Sequence, residues 1–240
     1  MRFLQESALR VALALCLLFG AGQAQAAVSL DNCEAARFVL SGNPITDSGF
    51  TVGAGSNQLL VVLISQANSL GTPSATWNGV SLTSAATLTN GSVRTDILVL
   101  KAPAQGNQSL IYSSSAGFSF STAIACSFNG VDQTTPTQNA NTSTGTTIAV
   151  TTASGNETVM AGATSGSFTA IDNIQLYADN SNGTGAARQD SSSGSTTYTP
   201  TFSGTKSLVG VDIKAAAAAA GCTTHRLGLL VVENIHETPL

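Results

Sequence analysis

Charged residues are scarce in this chain. Asp, Glu, Lys and Arg make up 9% of its 240 residues, against roughly a quarter in an average soluble domain. The net charge is −4, so a phosphate backbone would meet no cationic surface, and we expect no nucleic-acid partner. With so few ionic groups, the surface is expected to consist mainly of hydroxyl and amide groups.

Histidine is absent from residues 27–224, because the two histidines are His225 and His236. A Ser-His-Asp triad would therefore need the C-terminal tail to fold back across the rest of the chain. The sequence also lacks the clustered Cys and His of a zinc site, and no spacing of carboxylates picks out a glycosidase pair. We expect a protein that is not an enzyme; a secreted hydrolase of unfamiliar type is the remaining alternative.

The N-terminus has the pattern of an export signal. Arg2 and Arg10 flank a short n-region, residues 11–20 form an apolar run, and Ala24-Gln25-Ala26 is a small-x-small cleavage site. The apolar run is too short to cross a bilayer, and no other stretch of the sequence is suited to do so. We expect cleavage after Ala26 and a secreted, cell-surface or periplasmic protein with no transmembrane span.

Few cysteines remain after this cleavage: Cys33, Cys126 and Cys222. Export permits oxidation, and three thiols allow three different single bridges with one thiol left over. Cys126 falls on the apolar side of its strand pattern and is expected to point inward. It is therefore either a buried free thiol or the partner of Cys33, and Cys222 is the natural odd thiol.

The most regular pattern in the chain is the alternation of apolar and small polar residues over 118–128. A period of two predicts a strand with one buried face. Residues 59–64 are apolar on both parities, which predicts a central strand covered on both faces. Asn78-Gly79 and Asn90-Gly91 are typical of tight hairpin turns. About eleven or twelve short strands of this kind, with no amphipathic helix, predict an all-β antiparallel sandwich or barrel.

The sequence divides into three segments. Residues 1–26 form the signal peptide and residues 27–214 the β domain. An alanine run begins at Ala215 and is closed by Gly221. We therefore expect a linker and an atypical C-terminal tail over residues 215–240.

Several motifs between residues 50 and 214 occur in an order that resembles a recurrent secreted bacterial β-sandwich module of unknown function. The matching pieces are residues 59–64, Thr76-Trp-Asn-Gly-Val-Ser-Leu82, Leu100-Lys-Ala-Pro-Ala-Gln-Gly106, Ser127-Phe-Asn-Gly-Val-Asp-Gln-Thr-Thr-Pro136 and Leu208-Val-Gly-Val-Asp-Ile213. This resemblance implies a two-sheet sandwich of the jelly-roll or Ig-like kind in an exported or surface protein. It implies no catalytic residue.

Aromatic residues are few, at 5% of the chain, and Trp77 is the sole tryptophan. Carbohydrate-binding proteins stack sugars on aromatic faces, so Trp77, with Tyr177 and Tyr198, is a candidate glycan platform. The position of Trp77 beside a hairpin turn favours the alternative, a tryptophan packed in the core or on the hairpin flank.

Calcium is the one metal for which the sequence offers ligands. Residues 179–185 are rich in oxygen donors, with Asp179, Asn180 and Asn182 as the candidate ligands. The segment lacks the bidentate Glu of a calcium loop, so a hairpin loop of turn-forming residues is the favoured interpretation. We expect no other cofactor.

The leading hypothesis is a non-enzymatic extracellular protein with a structural, adhesive or matrix role. Binding of glycans through Trp77 is the alternative. Lysines that would block pairing between exposed sheet edges are scarce, so we also expect self-association through those edges.

Overall fold

The computed structural model describes residues 27–34, 38–67, 71–179, 181–190 and 193–217, with the backbone alone at residues 38–41. The predicted signal peptide, Asn180 and the predicted tail after Ala217, with Cys222 and both histidines, lie outside the described residues. All the described residues fall within one unit, Gln25–Ala217. None of them forms a helix long and apolar enough to cross a membrane.

The protein is all-β, as the sequence predicts: the described residues contain strands and no helix, and every strand pairing is antiparallel. The strands before residue 130 are β1 (Ser29–Cys33), β2 (Phe38–Gly42), β3 (Ile45–Asp47), β4 (Thr51–Val52), β5 (Leu59–Ala67), β6 (Pro73–Trp77), β7 (Val80–Ser81), β8 (Thr83–Asn90), β9 (Val93–Lys101), β10 (Gly106–Asn107), β11 (Leu110–Ser114) and β12 (Phe118–Asn129). Those after it are β13 (Thr137–Ser143), β14 (Ile148–Thr152), β15 (Glu157–Thr164), β16 (Phe168–Ala170), β17 (Ile174–Asp179), β18 (Thr184–Gln189), β19 (Gly194–Tyr198), β20 (Thr201–Phe202) and β21 (Lys206–Ile213).

The described residues thus hold 21 strands rather than eleven or twelve. The difference comes partly from pieces of two or three residues, which are too short to show a period. It also comes from polar segments. Residues 134–144 are rich in Thr, Asn and Gln, a composition that predicts a loop, and most of them form β13 at the edge of the five-stranded sheet. Residues 179–195 have the polar composition of a long loop, with one short strand around Ala187 as the alternative. That strand is present as β18, an inner strand of the five-stranded sheet, and β19 begins at Gly194.

The strand order shows an internal repeat. The six-stranded sheet has the order β1-β12-β5-β9-β8, with β2 also paired to β12, and the five-stranded sheet has the order β13-β21-β15-β18-β17. In each sheet, the first strand of that half of the described chain pairs with the last strand of the same half (β1 with β12, β13 with β21). The last strand then pairs with a central strand (β5 or β15). The central strand pairs with one strand of a hairpin (β9–β8 or β18–β17). We call β1–β12 the first repeat and β13–β21 the second repeat.

The register of pairing agrees with this repeat. Val61 pairs with Val99 and Cys126, and Val159 pairs with Arg188 and Val211. In both repeats the final strand of the large sheet carries a β-bulge at the same place, between Ser84 and Ala86 in β8 and between Gln175 and Tyr177 in β17. Bulges interrupt a ladder at one defined residue, so their coincidence fixes which positions correspond.

Three large apolar cores lie on the faces of the two large sheets, and Ala67, Val93 and Ala163 form a further small cluster. The central core lies between the two sheets and includes Leu59, Val61, Leu63, Ile97, Ile124, Phe128, Val159, Val209, Val211 and Ile213. The first outer core covers the other face of the six-stranded sheet and includes Leu60, Val62, Ile64, Phe50, Trp77, Leu110 and Tyr112. The second outer core covers the other face of the five-stranded sheet and includes Met160, Leu208, Ile148, Val150, Phe168 and Tyr198.

Because both faces of each large sheet are covered, strand parity does not separate buried from exposed positions. In the sequence of their strands, Asp96 and Asp212 alternate with the apolar residues and so belong to the other face of the strand. This pattern predicts that both side chains face solvent. That prediction is wrong: Asp96 is 2% exposed and Asp212 is fully buried. Asp96 pairs with Arg94, and Asp212 accepts hydrogen bonds from Gln138, Thr152 and Asn156.

A disulfide joins Cys33 to Cys126 across the β1–β12 ladder. It fastens the first strand of the described residues to β12, which lies beside the central strand β5 of the six-stranded sheet. At the other end of the described chain, Ala215 forms a bridge with Val131, and Ala216 donates its N–H to the carbonyl of Gly130. The first two alanines of the run therefore pack with the strands, beyond the predicted boundary at residue 214.

Candidate functional site

The three aromatic residues predicted from the sequence to bind glycans do not form a platform. Trp77 is 1% exposed and lies in the first outer core, packed edge-on against Phe50. Tyr198 is fully buried in the second outer core, where its hydroxyl lies 2.6 Å from that of Thr158. Tyr177 is partly buried against the central core. The rings sit in three separate cores, so no sugar can stack across them.

The loop predicted to bind calcium is held by hydrogen bonds. Asp179 Oδ1 accepts from the backbone N–H groups of Ser181 and Asn182. Asp179 Oδ2 accepts from the Tyr177 hydroxyl and from the Asn182 amide. Burial would raise the pKa of Asp179, and these hydrogen bonds outweigh burial and lower it. Both carboxylate oxygens are engaged with their own loop, and the described residues contain no group of three metal-ligating side chains.

A different set of residues lines a cleft with several amide side chains. It is open to solvent, has a volume of about 180 Å³, and is lined by Gly55, Asn57, Gln58, Ala102, Pro103, Gln105 and Gln133. Four of the seven lining side chains are amides and none is charged. The lining comes from three connections at one end of the first repeat: those before β5, after β9 and after β12.

The amides of this cleft are tied together. Gln105 Nε2 donates to Gln58 Oε1 and to the carbonyl of Gly55, both at 2.9 Å. Gln58 Nε2 donates to the carbonyl of Gly53 at 2.9 Å. Gln133 Nε2 donates to the carbonyl of Gln58 at 3.1 Å. These bonds fix the orientation of the Gln58, Gln105 and Gln133 amides, so this part of the cleft is shaped without a ligand.

Trp77 has a role at this cleft although it is buried. Its indole Nε1 donates to the carbonyl of Ala104 at 2.8 Å. Ala104 lies between Pro103 and Gln105, two residues of the cleft wall. Trp77 therefore positions the wall from the core side.

Two lining residues have left-handed backbone conformations. Asn57 has φ of 53° and Ala102 has φ of 44°. Asparagine tolerates this region, whereas alanine does so at a cost of about 1 kcal/mol. The Ala102 N–H donates to the carbonyl of Gln58 at 3.0 Å, which shows what holds the strained residue in place.

Unsatisfied hydrogen-bonding capacity remains in the cleft. Gln133 Oε1 is inaccessible to solvent and has no hydrogen-bond partner among the described residues. A buried unpaired acceptor costs roughly 1–3 kcal/mol. The atom does not mark the cleft as a ligand site, because other buried side-chain atoms share this property, among them both amide atoms of the fully buried Gln66.

The second repeat contains a buried ion pair with a titrating carboxyl. Arg188 Nη1 donates to Glu157 Oε1 at 2.8 Å and also to Asp190. Burial raises the pKa of Glu157 to about 7, against the opposing effect of Arg188. Arg188, Glu157 and Asp190 bond to one another, and no cavity among the described residues lies beside them. These residues therefore provide a carboxyl that titrates but not a binding surface.

The residues of the cleft are far apart in the sequence, and no local pattern marks them. Pro103 and Gln105 lie in one of the motifs quoted for the resemblance, and Gln133 lies in another. Their proximity depends on the pairing of β5 with both β9 and β12, which brings the three connections to one end of the sheet.

Comparison with known proteins adds no relative. No family model, no curated protein and no solved structure matches this chain. The resemblance to a secreted β-sandwich module stays a prediction.

Proposed function

We propose that this is a non-enzymatic secreted or cell-surface protein with a structural, adhesive or matrix role, in which each repeat is a two-sheet antiparallel sandwich of the jelly-roll or Ig-like kind. The observation that carries the proposal is the stack of apolar cores on both faces of both large sheets. Such a stack resists deformation because each sheet is supported from two sides.

The chemistry of the carboxylates also supports a non-catalytic role. Asp96, Glu157 and Asp212 are buried and hydrogen-bonded to side chains of the same chain. Asp132 forms an ion pair with Lys214, which lowers the pKa of Asp132 to about 2. These groups brace the fold, and none of them faces the cleft.

The Cys33–Cys126 disulfide supports export, because disulfides persist in oxidising compartments. The weakly charged sheet edges support self-association. The outermost strand of the six-stranded sheet, β8, is eight residues long and carries no charged side chain.

The adhesive role is tested with beads coated with the purified full chain and with albumin-coated beads as controls. We expect the coated beads to attach to cells of the producing strain or to each other. Absence of attachment, with turnover of a substrate in a panel of hydrolase assays, would replace this proposal by the secreted-hydrolase alternative.

Self-association is tested by light scattering over a range of concentrations. Thr87 is exposed in the middle of β8, so Thr87→Lys places a charge on the edge and is expected to reduce association. Thr144→Lys adds the same charge in the connection between β13 and β14 and serves as the matched control. A monomer at every concentration contradicts pairing through sheet edges.

A further inference from the structure

We propose that Asn78 is a site of spontaneous deamidation, which the fold favours over the other Asn-Gly pairs of the chain. The sequence contains four such pairs, which begin at Asn78, Asn90, Asn129 and Asn182. The inference goes beyond the proposed function and does not depend on it.

The reaction needs only the asparagine side chain, the backbone nitrogen of the next residue and water. That nitrogen attacks the Cγ atom of the asparagine, and the new N–Cγ bond closes a five-membered succinimide ring. The Cγ–Nδ2 bond breaks, and the amide group leaves as ammonia together with the proton of the attacking N–H. Water then opens the ring at either carbonyl carbon and leaves an aspartate or an isoaspartate. Glycine favours the attack because it has no Cβ and its backbone can reach the required conformation.

The pair Asn78-Gly79 is free to react. It forms the exposed tip of the hairpin that joins β6 to β7, with φ of 49° at Asn78 and 78° at Gly79. The Asn78 backbone N–H donates to the carbonyl of Ser109 at 3.0 Å, whereas its side chain makes no hydrogen bond to any described residue. A methyl group added at Gly79 would meet no atom within 4 Å. The tip can therefore distort toward the ring without displacing a neighbour.

The pair Asn90-Gly91 differs because its amide is held. Asn90 Nδ2 donates to the carbonyl of Lys206, a residue of the second repeat, at 2.8 Å. The amide has to leave this partner before the glycine nitrogen can attack. One hydrogen bond is worth about 1 kcal/mol, which corresponds to a reaction about fivefold slower.

The pair Asn182-Gly183 is held at both reacting groups. Asn182 Nδ2 donates to Asp179 Oδ2 at 2.6 Å. The Gly183 N–H donates to the carbonyl of Asp179 at 2.9 Å. Both the leaving amide and the attacking nitrogen would have to be released from the loop.

The pair Asn129-Gly130 is enclosed by neighbouring backbone. The Gly130 N–H donates to the carbonyl of Ser56 at 3.2 Å. Asn129 Oδ1 is buried, and its side chain lies so close to Gly55 that a methyl group added there would overlap it. The attacking nitrogen is bonded, and the carbon that it would attack has little room to move.

The experiment incubates the purified full chain at mildly alkaline pH and follows its products with time. Each deamidation makes the net charge one unit more negative, so the first changes it from −4 to −5. Ion exchange separates the products, and peptide mass spectrometry locates the acid. We expect acid at position 78 to form at least about fivefold faster than at position 90. A rate at any of the other three pairs that equals or exceeds the rate at Asn78 overturns the inference.

Two controls separate the effect of the fold from that of the local sequence. In urea that unfolds the chain, the four rates should converge, and rates that keep their native order would overturn the role of the fold. Asn78→Gly removes the amide and retains a residue that accepts the positive φ of this turn. The early acidic product should be absent from this variant, and its persistence overturns the assignment. Asn90→Gly is the matched control and should form that product at the rate of the parent chain.

Discussion

The first repeat fills both faces of the start of its central strand with large aliphatic side chains, whereas the corresponding strand of the second repeat starts with a charged and a polar residue and continues into small residues. β5 has the sequence Leu-Leu-Val-Val-Leu-Ile at its start, and β15 has Glu-Thr-Val-Met-Ala-Gly. By register, Ile64 corresponds to Gly162 and Asp96 to Gly185. The ring of Phe168 occupies the space that these glycines leave. The same strand order is therefore compatible with two different ways of filling a core.

Both repeats use a carboxylate to join their first strand, their last strand and the segment before the central strand. In the first repeat the acid is Asp31 on β1, which accepts from Ser127 and from the Gly53 N–H. In the second repeat it is Asp212 on β21, which accepts from Gln138 and Thr152. The carboxylate lies on the first strand in one repeat and on the last strand in the other, but it joins the same three segments in both. This indicates that the fold requires a hydrogen-bonded link between these segments.

The largest expected difference between the repeats concerns the disulfide, since the second repeat has none. The double variant Cys33→Ala/Cys126→Ala releases a loop of 93 residues, which is expected to cost about 4–5 kcal/mol of unfolding free energy by the chain-entropy relation. Urea unfolding of the variant, and of the parent chain with reductant, measures the effect. Equal midpoints with and without reductant would contradict it.

The second effect compares the two acids. Asp212→Ala leaves the buried donors of Gln138, Thr152 and Asn156 without their acceptor, and we expect a loss of about 3 kcal/mol. Asp31 is only partly buried, so water can replace it, and Asp31→Ala is expected to cost about 1 kcal/mol. Urea unfolding of both variants measures the two losses. A larger loss for Asp31→Ala would show that the two connections are not equivalent.

The third effect depends on pH and belongs to the second repeat alone. Glu157 corresponds to Leu59 by register, and burial raises its pKa from 4.5 to about 7. Between these values the unfolded chain is ionised at Glu157 and the folded chain is not. The free energy of unfolding should therefore fall as pH rises from 4.5 to 7, by up to about 3 kcal/mol, and then level off.

The Glu157→Gln variant is the control for this pH dependence, because its side chain does not titrate. Urea unfolding at pH 4.5 and pH 7.5 should show a slope for the parent chain and a much smaller one for the variant. Asp132 and Asp179 have lowered pKa values, so their contribution is lost below pH 4, outside this window. Identical slopes would assign the pH dependence to other groups.

The smallest effect tests the packing of the second repeat. A Cβ on Gly185 would overlap the Phe168 ring, so Gly185→Ala is expected to destabilise the protein by about 2 kcal/mol. Gly145→Ala is the control, since its new methyl group meets only the Ser143 hydroxyl at 3.3 Å. Thermal unfolding distinguishes them, and an unchanged midpoint for Gly185→Ala would mean that Phe168 can move aside.

Strands with a strong pattern could be predicted from the sequence. The alternation over residues 118–128 is β12, and the predicted central strand at residues 59–64 is the start of β5, in which every residue is buried. The Asn78-Gly79 turn joins β6 to β7 with positive φ at both residues. In each case the local pattern determines that a strand or turn forms there. It does not determine the burial of β12, for which one buried face was predicted. The predicted polar face is buried at Ser121, Ala123, Ala125 and Ser127, because the first outer core covers it, and Phe120 of the predicted apolar face is exposed.

Features that depend on distant contacts could not be predicted in this way. The repeat is invisible in the residues because β5 and β15 are filled so differently. The burial of Asp96 and Asp212 follows from the outer cores, which parity within one strand does not reveal. The cleft requires three connections to meet, so Gln58, Gln105 and Gln133 gave no local signal.

One detail of the second repeat bears on how copies of the chain can meet. Asn139 and Asn141 on β13 donate their side-chain amides to the carbonyls of Thr151 and Ala149 on β14, at 3.0 and 2.7 Å. The two side-chain amides thus occupy backbone carbonyls that could otherwise accept hydrogen bonds from a neighbouring strand. A strand from a second copy of the chain therefore cannot pair with this edge of β14. Any fibril of this protein would have to grow through a different sheet edge.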